Sequence, residues 1–180
     1  SIFHPQGGGQ KADKGFLNKI PVIHVSHTTD GEINHYIDEN TSLSIGDNVF
    51  IEIEEHSRTV NTKLHTAGHF IAALIEENFN GLRAVGGHHW PGESRVEFEG
   101  NALNQDVVSF LEIAISKGIK EDIAIDVEGD PFKTRKIKIG HYASVPCGGT
   151  HLTSTCSLEG LRITKIKINK GLLRKGYAIE

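Results

Sequence analysis

A chain of 180 residues with 37% hydrophobic and 23% charged residues has the make-up of a globular protein able to bury a core of its own. No apolar run approaches the roughly 18 residues that a membrane-crossing helix needs, so no membrane partner is expected. A net charge of -4 excludes nucleic-acid binding driven by bulk charge, but not a local basic patch.

The chain begins at Ser1 and contains no methionine, so its natural start is expected upstream. No signal-peptide pattern is present. Two cysteines, Cys147 and Cys156, make no disulfide framework and point to a reducing, cytoplasmic setting. Residues 1–19 are glycine-rich and read as an ordered turn or a flexible leader. Residues 20–25 and 33–37 read as two short strands, joined at Thr28-Thr29-Asp30-Gly31 by a hairpin turn. Apolar and polar residues alternate over 47–53, which predicts a strand. From Arg58 to Asn78 the period changes: Leu64, Gly68, Ile71, Ala72 and Ile75 recur at three and four, as on a helix. Thr59 or Asn61 is the expected cap, with Gly81 beyond the end. Residues 83–100 read as turns that end in a strand over 95–98. A second amphipathic helix is expected over 104–118, closed by Gly118. Strands are expected over 123–127, 135–139, 162–168 and 177–179. The fold class is therefore α+β, a mostly antiparallel sheet with two main helices packed on it.

His65 and His69 stand one turn apart on the predicted helix, so both imidazoles face one side. Cys147-Gly148-Gly149-Thr150-His151 supplies a thiolate and a third imidazole from a tight glycine loop. Either pair alone is a weak signal. Together they make a tetrahedral zinc set of three nitrogens and one sulfur. Thr66 stands where the HExxH proteases carry their glutamate, which argues against a zinc protease. A mixed imidazole and thiolate set without carboxylate favours Zn2+ over iron or copper. Cys156, nine residues beyond Cys147, reads as a small core or surface residue.

Four segments, in order along nearly the whole chain, resemble the editing domain of alanyl-tRNA synthetase and its free-standing AlaX relatives. They are Phe3-His4-Pro5-Gln6-Gly7-Gly8-Gly9-Gln10 with Asp13 and Gly15, the HTAGH run 65–69, His89-Trp90-Pro91-Gly92 with residues 96–100, and Pro146-Cys147-Gly148-Gly149-Thr150-His151. The resemblance implies an alanyl/threonyl-tRNA synthetase editing-domain-like fold. It also implies trans-hydrolysis of mischarged tRNA, with Ser-tRNA(Ala) or Gly-tRNA(Ala) as substrate. The related zinc set of the threonyl-tRNA synthetase editing domain keeps tRNA(Thr) as a second substrate. Gly68 departs from the threonine often found there in synthetase domains. The expected division is 1–55, a glycine-rich loop with N-terminal strands, and 56–180, the zinc-binding editing domain. With no synthetase core preceding it, the chain reads as free-standing; a domain cut from a larger synthetase would look the same.

A pocket that accepts alanine cannot strongly exclude glycine or serine, so a second site must correct the error. Zinc can activate water at neutral pH or position the aminoacyl group, and both roles stay open. Thr66 is the first candidate to bond the serine hydroxyl, with Gln6 and Gln10 behind it, and His88 and His89 are expected near the pocket. Gly7, Gly8 and Gly9 either approach the tRNA terminus or form a close-packed turn. The basic stretches 133–138 and 165–175, with Lys165, Lys167, Lys170 and Arg174, either contact phosphates or form solvated strand faces. Two rivals share the metal: a zinc-stabilised RNA-binding module without catalysis, and a hydrolase of small esters. Oligomeric state is not legible.

Overall fold

The computed structural model describes residues 1–38, 41, 43–100, 106–130, 133–169 and 172–180. The beginning of the predicted second helix at Asn104, and Lys170, lie outside them.

The amino-terminal region builds its own small core. Strands β1 (Gly15–Leu17) and β2 (Ile20–Val22) form a hairpin. Asn18 and Lys19 turn it with φ of 48° and 69°, the left-handed pair a two-residue hairpin demands. Strands β3 (His24–His27) and β4 (Ile33–Tyr36) pair across the predicted 28–31 turn, where Thr28 Oγ1 accepts the Glu32 N–H at 2.9 Å. Strand β5 (Ile51–Ile53) pairs with β1. Phe3, Ala12, Leu17, Val22 and Val25 are buried among them. The glycine-rich leader is therefore ordered and contributes a strand. The predicted 47–53 strand shrinks to its last three residues.

Helix α1 (Glu55–Asn78) starts three residues before the predicted Arg58. Neither Thr59 nor Asn61 caps it. Glu54, extended, precedes the first turn without a side-chain cap, and Glu55 places a negative charge at the positive end of the helix dipole. Residues 83–100 are a strand pair rather than turns: β6 (Arg83–His88) and β7 (Arg95–Glu99), with a bulge at Ala84/Gly86. Gly86 and Gly87 hid β6, because glycine carries no strand preference. Helix α2 (Asp106–Lys120) runs past Gly118, which lies inside it; a Cβ there would meet the Phe70 ring at 2.5 Å.

Strands β8 (Ile125–Glu128), β9 (Lys136–Ile139) and β10 (Val145–Pro146) form one antiparallel sheet. A 3-10 turn over Thr155–Leu158 leads to β11 (Leu161–Asn169), and β12 (Leu172–Ile179) completes a second sheet in the order β11-β12-β7-β6. The architecture is α+β and antiparallel throughout, in four small sheets rather than one. Leu64, Phe70, Ile71, Leu74 and Ile75 of α1 are buried with Phe98, Leu173 and Tyr177 of one sheet and Ile137 and Ile139 of the other. That burial pins the face of α1 that carries the two histidines. Among the described residues no helix is long and apolar enough to cross a membrane.

Candidate metal centre

His65, His69, Cys147 and His151 converge, their ligand atoms all within 4.8 Å of one another. His65 Nε2 and His69 Nε2 lie 3.2 Å apart. Cys147 Sγ is the hub, 3.4 Å from His65 Nε2, 3.2 Å from His69 Nε2 and 3.2 Å from His151 Nε2. A tetrahedral zinc with bonds of about 2.0 to 2.3 Å has ligand-to-ligand edges of about 3.3 to 3.6 Å. The donor set and its spacing therefore fit a metal ion. All three imidazoles are held neutral, as ligands must be. Burial pushes His69 down to about 4 and His151 to about 3. Burial, then the neighbouring histidines, push His65 lower still. Burial raises the Cys147 thiol, partly offset by the Gly149 N–H and Arg135.

The ligands are locked from behind. Gln10, with no exposed surface, accepts the Thr150 N–H through Oε1 at 2.9 Å, which identifies that atom as the oxygen. The same oxygen lies 2.6 Å from His65 Nδ1, so Nδ1 carries the proton and Nε2 turns its lone pair to the cluster. Gln10 Nε2 donates to Thr150 Oγ1 at 2.8 Å, and Thr150 Oγ1 lies 2.6 Å from Thr62 Oγ1. Arg135 donates to the carbonyls of Cys147 and Gly149, at 2.8 and 2.6 Å. A Cβ at Gly149 would overlap the His65 ring, so only glycine lets the loop close on the helix. By contrast His151 Nδ1, though buried, has no hydrogen-bond partner among the described residues.

The other predicted site residues fall into place around this cluster. Thr66 does not face open space: it is fully buried, donates to the Thr62 carbonyl at 2.8 Å and accepts the Leu152 N–H at 3.1 Å. A helical hydroxyl one turn from a free carbonyl takes that bond readily. His89 stacks on His65 with centroids 4.9 Å apart, and its Nδ1–H donates to the Tyr177 hydroxyl, which donates onward to the Leu64 carbonyl at 2.8 Å. Burial lowers His89 to about 3. Its ring fills the space a side chain at position 68 would need, which accounts for Gly68. His88 turns away and tilts against Trp90. Gly7, Gly8 and Gly9 form a tight turn closed by Gln10 N–H to the Gly7 carbonyl at 2.9 Å, with φ of 55° and 78° at Gly8 and Gly9. The Gly9 carbonyl accepts the His89 N–H at 2.9 Å, which sets the turn beside the cluster, and Gln6 is exposed.

Of the basic stretches, Arg135 is spent on the Cys147 loop, and Lys175 is only 1% exposed, with burial lowering it to about 8. Neither is a free phosphate contact. Lys165, Lys167 and Arg174 do meet, with Arg95, along a surface groove of about 540 Å³. Sequence reading missed Thr62 and Tyr177, whose partners are 88 and 113 residues away, and gave Arg135 a phosphate role in place of its bond to the Cys147 carbonyl. Thr150 was visible inside the CGGTH run, but its link to Gln10 was not.

No protein-family model matches the chain. Among curated proteins it is 31% identical, across a 201-residue alignment, to the alanyl-tRNA editing protein AlaX-M of Saccharolobus solfataricus, covering 97% of this chain and 84% of the relative. The corresponding protein of Pyrococcus horikoshii is 27% identical over 191 residues, covering all of this chain and 84% of that one. The alanine–tRNA ligase of Petrotoga mobilis is 26% identical over 198 residues, which span 96% of this chain but 23% of the ligase. With similarity running through the whole chain and four donors converging at metal-ligand spacing, the chain belongs to the AlaX family of alanyl-tRNA editing proteins.

Proposed function

We propose that this protein binds one zinc ion through His65, His69, Cys147 and His151 and hydrolyses the ester of mischarged tRNA(Ala), with serine as the acyl group and glycine as the next substrate. The convergence of the four donor atoms carries the reading. Kinship with editing proteins supports the chemistry. Zinc, when bound, supplies Lewis-acid chemistry to ester hydrolysis.

The chain's own residues prepare that site. Gln10 sets the His65 tautomer, and His89 packs beneath the His65 ring. Thr66 braces Leu152 and through it the neighbouring His151. These three are positioning residues in this reading. His151, with its outer nitrogen unpartnered among the described residues, would be the least firmly oriented of the residues that would hold the zinc. Four fixed protein ligands would make a closed, structural site. Gly7, Gly8 and Gly9 present a side-chain-free surface to the acceptor end. The division at residue 55 is also proposed; the separate amino-terminal core supports it, and Gln10 reaches across to complete the metal site.

The test is hydrolysis of Ser-tRNA(Ala), Gly-tRNA(Ala) and Ala-tRNA(Ala). Serine should leave about ten-thousandfold faster than alanine, the scale reached by a site that hydrogen-bonds a substrate hydroxyl. A zinc-loaded protein that binds tRNA but releases no serine is a binding module, and the reading falls.

In the groove, Glu97 Oε1 holds both Arg174 Nε at 2.8 Å and Arg95 Nε at 3.2 Å, and Lys165 and Lys167 are exposed beside them. This cluster is proposed to carry the tRNA backbone. Lys165→Glu with Lys167→Glu should raise KM for charged tRNA about tenfold, leave kcat unchanged, and flatten the salt dependence of binding by about one unit per lost contact. An unchanged salt slope removes the groove from the binding surface.

A further inference from the structure

The chain has a single tryptophan, Trp90, and the fold leaves it partly exposed. His89, just before it, is buried against His65, while His88 and Trp90 lie together on the outer side with ring centroids 4.8 Å apart. The backbone beneath the indole is fixed. The Trp90 carbonyl accepts the Glu93 N–H at 3.0 Å and the Ser94 hydroxyl at 2.8 Å, and Pro91 restrains the turn between them. Lys11 holds its ammonium over the indole, 5.1 Å from the ring centroid.

An exposed large apolar side chain means little by itself. Its position gives this one meaning. On one side lies the glycine turn, whose Gly9 carbonyl accepts the His89 N–H at 2.9 Å. On the other lies the cationic groove. Gly92, Glu93 and Ser94, from the turn that Trp90 opens, line the end of that groove beside Arg95, and Arg95 is the cross-strand partner of His88. Trp90 therefore stands between the metal centre and the groove. An RNA strand that lies in the groove with its 3′ end at the metal crosses this ring. Lysine and arginine in the groove take phosphates and leave the flat faces of the bases unserved. The 3′ end of a tRNA is unpaired, so its bases are free to stack, and every base has a π-face that an indole accepts without regard to sequence. Lys11 has a flexible stem, so a base displaces its ammonium from the ring and leaves it beside the adjoining phosphate.

We propose that Trp90 is the stacking platform for an unpaired base just upstream of the charged nucleoside, with Lys11 on the neighbouring phosphate. The proposal rests on the editing reading given above. The single tryptophan makes the test direct, because all indole fluorescence of the protein comes from Trp90. The full chain is titrated with an uncharged RNA minihelix that carries the acceptor sequence and its unpaired 3′ end. A second RNA has abasic riboses in place of the two nucleotides before the terminal one and keeps every phosphate. The intact RNA should quench the emission. The abasic RNA should leave it unquenched and bind about tenfold more weakly, the scale of one stacked base. Trp90→Ala should raise KM for Ser-tRNA(Ala) about tenfold, and Trp90→Phe, which keeps a π-face, should recover most of that loss. The loss falls on KM rather than on kcat, and zinc content is retained, because Trp90 is not one of the four metal-site residues. Lys11→Ala should flatten the salt dependence of RNA binding by about one unit. Equal quenching by the two RNAs, or an unchanged KM in Trp90→Ala, overturns the platform and leaves the editing reading standing. Absence of serine release from a wild type that the intact RNA alone quenches overturns the editing reading and not the platform.

Discussion

Cys147→Ala should lower serine release from Ser-tRNA(Ala) by about a thousandfold, the loss of several kcal/mol of metal-derived stabilisation. The same variant should hold less than one zinc per chain after dialysis. The thiol is the one ligand atom in contact with all three imidazoles, at 3.2 to 3.4 Å. It is also the only donor of the four that can bring negative charge, because an imidazole ligand is neutral and a cysteine ligand is a thiolate. Removing it leaves three neutral nitrogens, with the 147–151 loop held to the helix only through the Thr62–Thr150 and Thr66–Leu152 hydrogen bonds and His151. His151→Ala provides the contrast. His65, His69 and Cys147 stay in place, so zinc should be retained while serine release falls. Zinc content by emission spectroscopy and release of labelled serine read both effects. If Cys147→Ala keeps zinc and activity, the three histidines alone make the site and the thiol is a bystander.

Gln10→Ala should weaken zinc binding and serine release by about 10- to 100-fold without touching a ligand. The His65 Nδ1–H loses its acceptor at 2.6 Å, so the ring is free to turn and to exchange tautomers. The Thr150 N–H loses its acceptor too, at 2.9 Å, while Thr150 Oγ1 keeps Thr62 Oγ1 at 2.6 Å, and an orphaned donor costs about 1 to 3 kcal/mol where it is buried. Gln10→Glu separates the two effects. Its carboxylate still accepts from His65 Nδ1 and Thr150 N, so zinc affinity should return close to the wild-type value. Its lost amide donor leaves the Thr150 hydroxyl with Thr62 Oγ1 alone, at 2.6 Å. Competition against a colorimetric chelator gives the affinities, and thermal melts give the stability. Equal zinc affinities for Gln10→Ala and the wild type would show that the ring is oriented by stacking on His89 alone.

The four residues of the candidate metal site were legible because their pattern is local. A helix places residues four apart on one face whatever surrounds it, and two adjacent glycines in Cys-Gly-Gly-Thr-His allow a close turn between thiol and imidazole. Hydrophobic periodicity likewise exposed α1, α2 and the long strand β11, but only the last three residues of β12. Local pattern misled where glycine did a tertiary job. Gly86 and Gly87 sit within a strand, Gly118 makes room for Phe70, and Gly68 makes room for His89. Helix α1 began without a capping side chain, so no cap signal could place its start.

By itself the sequence determined the fold class, the two ligand pairs and the kinship with editing proteins, all carried by short-range spacing. Tertiary structure alone decided what each polar side chain faces. Thr66 looked free to meet a substrate, but packing closed Leu152 over it. Arg135 looked like a phosphate contact, but chain reversal brought it to the Cys147 loop. Gln10 meets Thr150 across 140 residues of chain, and a cavity beside His69 forms only where α1, β6 and β9 come together. A hydrogen bond depends on distance and direction in space, and separations of that length leave no periodic trace along the chain.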